Sequence, residues 1–261
     1  MKYFDSHAHY YDERFVNECN EGVDNLVGAL MASSVSYIIN VATSPENCVS
    51  AINQAKKWDN MYTALDIHPS DTRFVDDLDG SLRFVEGLIK EKANKCVCLG
   101  EIGLDYHYPD TDKDKQMRYF MAQMELARAL KIPVCIHDRE AHEDCLEVIK
   151  KFPDVIGIMH SFSGSREMAR EIASMGYYVS FSGTITFTNA KKPKEACAAV
   201  PREQILIETD CPYLAPHPLR GTLNHSGNLK YTNLTVASIL GIDEEEAAQL
   251  TENNAKRIFG L

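Results

Sequence analysis

With 261 residues, 44% hydrophobic and 25% charged, the chain has the length of one (β/α)8 barrel of ~250 residues and a composition unlike that of a disordered segment. No apolar run approaches the ~18 residues of a membrane span, and the opening Met1-Lys2-Tyr3-Phe4-Asp5-Ser6-His7 has no apolar core of a secretory signal. A net charge of −11, with no basic run longer than Lys191-Lys192, counts against stable duplex binding through a basic face, although bound cations supply local positive charge in a metal-centred site.

Taken in chain order, short β-rich apolar runs alternate with longer amphipathic stretches. A run at 2–9 precedes a helical pattern at 21–33, a run at 35–42, a helix at 47–58, a run at 61–68 and a helix at 81–91. A run at 96–105, the clearest helix at 114–130, runs at 132–137 and 156–162, a helix at 165–175 and runs at 177–183 and 205–210 follow. In the 114–130 helix, Met117, Phe120, Met121, Met124, Ala127 and Leu130 recur at three- and four-residue spacing. Helices at 229–240 and 243–259 close the chain, with Asp243 as the N-cap of the second. This alternation predicts a parallel sheet, and eight units predict a closed TIM barrel, one α/β domain over 1–261. Cys96, Cys98, Cys135 and Cys211 sit inside apolar runs; without an export signal, all eight cysteines read as reduced thiols of a cytoplasmic protein.

Six of the eight runs end in or carry His, Asp or Glu: Asp5-Ser6-His7-Ala8-His9, His68, Glu101 with Asp105, His137, His160, and Glu208-Thr209-Asp210. A TIM barrel builds its active site at the C-terminal strand ends. His7 and His9 are two apart, so a strand turns both imidazoles to one side. Such a donor set suits Zn, Mn, Fe or Ni, with Mg possible where oxygen dominates. On strand alternation Glu208 points opposite to Asp210 and reads as a supporting residue. Asp105 reads equally as an orienter of a ligand or of a loop. His107 belongs to the site only if its loop folds inward, and His225 has no place in the scheme. Tyr10, Tyr11 and Tyr106 offer rings for base stacking, but packing over the barrel mouth is the favoured reading.

The motifs Asp5-Ser6-His7-Ala8-His9, Gly100-Glu101-Ile102-Gly103-Leu104-Asp105-Tyr106, Pro133 to Ala141, His160-Ser161-Phe162-Ser163-Gly164 and Glu208 to Leu214, in this order and spacing, resemble the TatD family of metal-dependent deoxyribonucleases in the amidohydrolase-like superfamily. The resemblance runs from Phe4 to about Asn224. It implies two divalent ions, Mg, Mn or Zn. His7, His9, Glu101 and Asp210 would bind one, and Glu101, His137 and His160 the other, with Glu101 bridging. It places His68, in Asp66-Ile67-His68-Pro69, near a substrate phosphate, and matches Arg220 and Asn224 to substrate-facing positions, as it does Arg139, for which a structural salt bridge is the competing reading. The sequence departs from the family at Asp66, where glycine is usual, at Ser70, where a second histidine is common, and at His225-Ser226, where Glu-Pro is usual. These changes put substrate preference in question, not the ligand set.

The implied chemistry is hydrolysis of DNA, single-stranded or at ends, by a metal-activated water, with Asp210 and Glu101 catalytic and Asp210 the proton acceptor. The alternative is a small-molecule or aminoacyl-ester hydrolase using the same binuclear centre, which the acidic charge favours slightly. A barrel that has lost catalysis and only binds is the third reading, and the intact ligand set speaks against it.

Overall fold

The computed structural model describes every residue from Met1 to Leu261. Its elements in order are β1 (Tyr3–Ala8), α1 (Glu13–Glu18), α2 (Val23–Ser33), β2 (Val35–Val41), α3 (Pro45–Ala55), β3 (Met61–Leu65), α4 (Leu78–Lys90), β4 (Cys96–Asp105), α5 (Lys113–Leu130), β5 (Val134–Arg139), α6 (His142–Lys151), β6 (Gly157–Met159), α7 (Arg166–Ser174), β7 (Tyr178–Phe181), α8 (Lys191–Cys197), β8 (Ile205–Ile207), α9 (Leu229–Leu240) and α10 (Glu244–Phe259). The eight strands pair in chain order, each parallel to the next. This is the TIM barrel expected from the alternation.

The seam between β1 and β8 closes in an unusual way. A single bridge joins Ala8 to Cys211, with His9 N donating to Cys211 O at 2.8 Å and Asp210 N to His7 O at 2.9 Å. Below it the Asp5 side chain takes over. It accepts from Thr209 N at 2.9 Å, Thr209 Oγ1 at 2.6 Å and Ser226 Oγ at 2.6 Å. A buried carboxylate thus stitches β1 to the chain leaving β8 where the strands are too short to do so themselves.

Inside the barrel Phe4, Ile39, Val41, Ala64, Cys98, Cys135, Ile158 and Leu206 pack together, and Ala255, Ile258 and Phe259 of α10 stopper the end where the strands begin. The small ones, Ala64, Cys98 and Cys135, lie on the successive strands β3, β4 and β5, and the larger side chains of the other strands fill the interior beside them, so the polar strand ends rest on an apolar floor. A cluster of 33 buried residues fills much of the layer between strands and helices. The helices start where local chemistry allows. Ser165 Oγ accepts from Met168 N to cap α7, and Asp243 accepts from Glu246 N to cap α10, whose first turn holds Glu244, Glu245 and Glu246.

The sequence reading missed α1, α6 and α8 and drew β6, β7 and β8 too long. β8 stops at Ile207; Glu208 N still donates to Phe181 O of β7, but Asp210, at φ +56°, bonds instead to β1 through His7 O. Tyr10 is not a stacking platform: it is 1% exposed and its hydroxyl lies 2.7 Å from Ser226 Oγ.

Candidate metal centre

The site is built from the C-terminal ends of the strands. β4 makes its central placement. Gly100 and Gly103 have φ of +155° and +139°, and a β-carbon at Gly103 would lie 2.1 Å from His137 O. Only glycine lets β4 press this closely on β5. The close approach sets Glu101, between the two glycines, against His137.

Glu101 is 3% exposed, and its two oxygens face different partners. Oε1 lies 2.5 Å from His137 Nδ1 and 2.7 Å from His160 Nε2. Oε2 lies 3.1 Å from His7 Nε2 and 3.9 Å from His9 Nε2. Asp210 Oδ1 completes the second side at 3.2 Å from His9 Nε2 and 3.7 Å from His7 Nε2. His7, His9, Glu101, His137, His160 and Asp210, all expected from the sequence as ligands, therefore converge on one place.

The outward nitrogens of these histidines show what the inward ones are for. His9 Nδ1 donates to Val41 O at 2.7 Å, His160 Nδ1 to Glu208 Oε1 at 3.0 Å, and His137 Nε2 to Asp105 Oδ2 at 3.2 Å. Cys135 Sγ lies 3.4 Å from His7 Nδ1. A neutral imidazole that spends its proton outward keeps a lone pair inward, as second-sphere support of a metal ligand requires. This arrangement assigns Asp105 and Glu208 as orienting carboxylates. Glu208 also accepts from Ser161 N at 2.9 Å, but its Oε2 has no partner.

Four inward lone pairs beside two carboxylates fit a cation, and the electrostatics of the cluster agree. Burial opposes ionisation of Glu101, yet His160, His68, His7 and His137 hold it well below the usual carboxylate range. Burial likewise opposes charging His137, but Glu101 and Asp105 outweigh it and push it up to about 9. Asp210 is also held low, chiefly by His9, His160 and His7 against burial. Without an ion the cluster balances its carboxylates with protons on histidine; a divalent cation replaces those protons.

His68 behaves differently. Its Nδ1 accepts from Ser70 N at 3.1 Å, so the neutral ring carries its proton on Nε2, which sits 3.5 Å from Glu101 Oε1. It is therefore a donor facing the cluster. Arg139 is exposed, 3.9 Å from Asp105 Oδ2, and lines the same cleft. Arg220 stands at the rim, over the Phe187 ring. Asn224 does not reach the cleft. It is fully buried, donating to Thr209 O and Tyr213 O and accepting from His225 N and Asn228 Nδ2. Every polar atom of its side chain is spent on holding the loop after β8. His107 turns away to Glu140 at 2.7 Å, and His225 caps its own loop through Gly227 N.

The cleft above the cluster has a volume of about 740 Å³. Thr43, Tyr108, Phe187 and Tyr213 also line it and were not singled out from sequence. Tyr213 lies within a motif that was recognised, next to Asp210, whereas Phe187 follows β7 with no polar signal to mark it.

Comparison with known proteins agrees with this architecture. Residues 4–260 match the family described as TatD related DNase. The chain is 38% identical over 260 residues to the uncharacterized metal-dependent hydrolase YabD of Bacillus subtilis (strain 168), covering 99% of both chains. It is 34% identical to the uncharacterized metal-dependent hydrolase YcfH of Escherichia coli (strain K12), covering 98% of this chain and 95% of that one. The crystal structure of YJJV, a TatD homolog from Escherichia coli K12, superposes with a TM-score of 0.88 at 26% identity, covering 99% of this chain and 98% of that one. A barrel whose strand-end histidines and carboxylates converge on one place, matched over nearly its whole length to such proteins, belongs to the TatD-related DNase family of metal-dependent hydrolases.

Proposed function

We propose that the chain is a phosphodiesterase that hydrolyses DNA, single-stranded or at ends, using two divalent ions drawn from Mg, Mn and Zn. The observation that carries this reading is the division of Glu101, with one oxygen turned to His137 and His160 and the other to His7 and His9. On this reading His7, His9, Glu101 and Asp210 hold one ion, and Glu101, His137 and His160 the other. The ions, when bound, supply an acidified water and neutralise phosphate charge.

The chain's own groups complete the reaction. Asp210, kept ionised by its histidine neighbours, accepts the proton of the attacking water. His68 directs its Nε2 proton at a phosphoryl oxygen, a role supported by the backbone N–H that occupies its other nitrogen. Arg139 and Arg220 at the cleft mouth draw the polyanion toward an otherwise acidic molecule.

The test is digestion of a labelled single-stranded oligonucleotide with added Mg, Mn or Zn, comparing the wild type with Glu101→Ala and Asp210→Ala. Cleavage that stops with chelator and is lost in both variants is the expected result. No cleavage by protein shown to hold its metals would refute the nuclease reading. Turnover of model esters by that same protein would assign the centre to small-molecule or aminoacyl-ester hydrolysis.

A further inference from the structure

The cleft mouth repeats one device, an arginine laid over an aromatic ring. The guanidinium carbon of Arg139 lies 5.7 Å from the ring centroid of Tyr108, that of Arg220 4.4 Å from Phe187, and that of Arg14 5.5 Å from Tyr213. All three rings line the cleft above Glu101, although they follow three different strands, β4, β7 and β8. Tyr108 is 48% exposed and Tyr213 44%, in a fold that buries Phe4, Tyr10, Phe15, Phe120 and Tyr177 almost completely. A second groove of about 410 Å³ begins at Tyr213 and runs along Arg14. The path from the cluster therefore continues past the Tyr213 edge.

Resting on the phosphodiesterase reading, we propose that these three rings, with the guanidinium groups of Arg139 and Arg220, bind nucleotides of one strand, from Tyr108 and Phe187 in the cleft over Tyr213 to the outer groove. Every base has a π-face, so stacking on a ring tolerates any sequence. A guanidinium already laid on a ring is pre-organised, and its planar fork suits phosphate oxygens. In a duplex the base faces are buried in the stack, so the rings select single strands or frayed ends. Arg14 already carries its counter-charge, with Nε and Nη2 donating to Glu18 at 2.7 and 3.0 Å and Nη1 to Pro212 O at 3.1 Å, so at this step the Tyr213 ring serves the strand and the guanidinium braces the ring. Of the acids lining the outer groove, Asp12 accepts from the Tyr213 hydroxyl at 2.8 Å and caps α1 through Arg14 N.

The test is anisotropy of a labelled phosphorothioate single strand, resistant to cleavage, with the metal-loaded protein. Tyr108→Ala, Phe187→Ala and Tyr213→Ala are each expected to weaken binding by about 5- to 150-fold, the loss of one stacked base. Tyr213→Phe, which keeps the ring but not the bond to Asp12, should bind like wild type. Arg220→Ala should reduce the salt slope by about one released counterion. Affinity within twofold of wild type in all three ring variants would overturn the proposal. So would a Tyr213→Phe loss equal to that of Tyr213→Ala, or duplex bound as tightly as single strand. Turnover of bis(p-nitrophenyl) phosphate, abolished in Glu101→Ala, reports separately on the chemistry. Strand binding with no diester turnover would refute the phosphodiesterase reading and leave the strand path standing.

Discussion

Replacing Asp5 by Asn tests whether a buried carboxylate closes the barrel. Asp5 is fully buried, and its pKa is pushed up to about 6 from 3.8, first by burial and against the hydrogen bonds of Ser226 and Thr209. A carboxyl whose folded value is raised binds more protons folded than unfolded between the two values. Its contribution is fully present below about 3.8 and is lost as pH rises through about 6. A shift of that size corresponds to ~3 kcal/mol, at 1.36 kcal/mol per unit. In the Asn variant the amide oxygen still meets Thr209 N, and the amide N–H groups meet the two hydroxyls, which rotate to accept, at the cost of about one hydrogen bond, ~1 kcal/mol. Urea unfolding in chelator should therefore find Asp5→Asn about 1 kcal/mol less stable than wild type near pH 4. By about pH 7 it should be roughly 2 kcal/mol more stable, because it escapes the ionisation penalty. Asp5→Ala strands three buried donors and should fall several kcal/mol below Asn at about pH 4. A stability difference between Asn and wild type that does not change with pH would refute the assignment of a raised, buried Asp5.

Other consequences of the same geometry are open to measurement. Glu208→Gln and Asp105→Asn leave every proposed ligand in place but alter the partners of His160 and His137; metal titration should show affinity falling about 10- to 100-fold. Gly103→Ala drives a β-carbon against His137 O, and should cost about 1–3 kcal/mol in urea unfolding while also weakening metal binding. A mutant that kept wild-type metal affinity would show that the β4–β5 approach does not position Glu101. Because His137 is pushed up to about 9 in the bare protein, a proton competes with the cation below that pH. His160 and His9 are raised as well, so calorimetric metal affinity should rise by at least about tenfold per pH unit from 6.5 toward 9. Equal affinities near pH 6 and pH 8 would contradict it.

The barrel and most of the polar residues that gather at its mouth were legible in sequence because both follow short-range rules. Parallel strands buried on both faces read as apolar runs, and a chemistry-bearing residue at the end of such a run stands out against it, as His68, His137 and His160 do, while Glu101 stands out as a charge inside one. The i, i+2 spacing of His7 and His9 needed only the pleat of a strand. What lay beyond those rules is what depends on contacts between distant segments. Asn224 shares a loop with Arg220, yet one is consumed by Thr209 and Tyr213 while the other stands at the cleft rim; no local pattern separates them. Asp5, between Phe4 and Ser6 and two residues before His7, becomes the closing stitch only because Thr209 and Ser226 arrive from the far end of the chain. Rings at the mouth, Tyr108, Phe187 and Tyr213, gain meaning from arginines 31, 33 and 199 residues away in sequence, by subtraction of their numbers. Periodicity determines which face a residue presents; only closure of the barrel determines what that face meets.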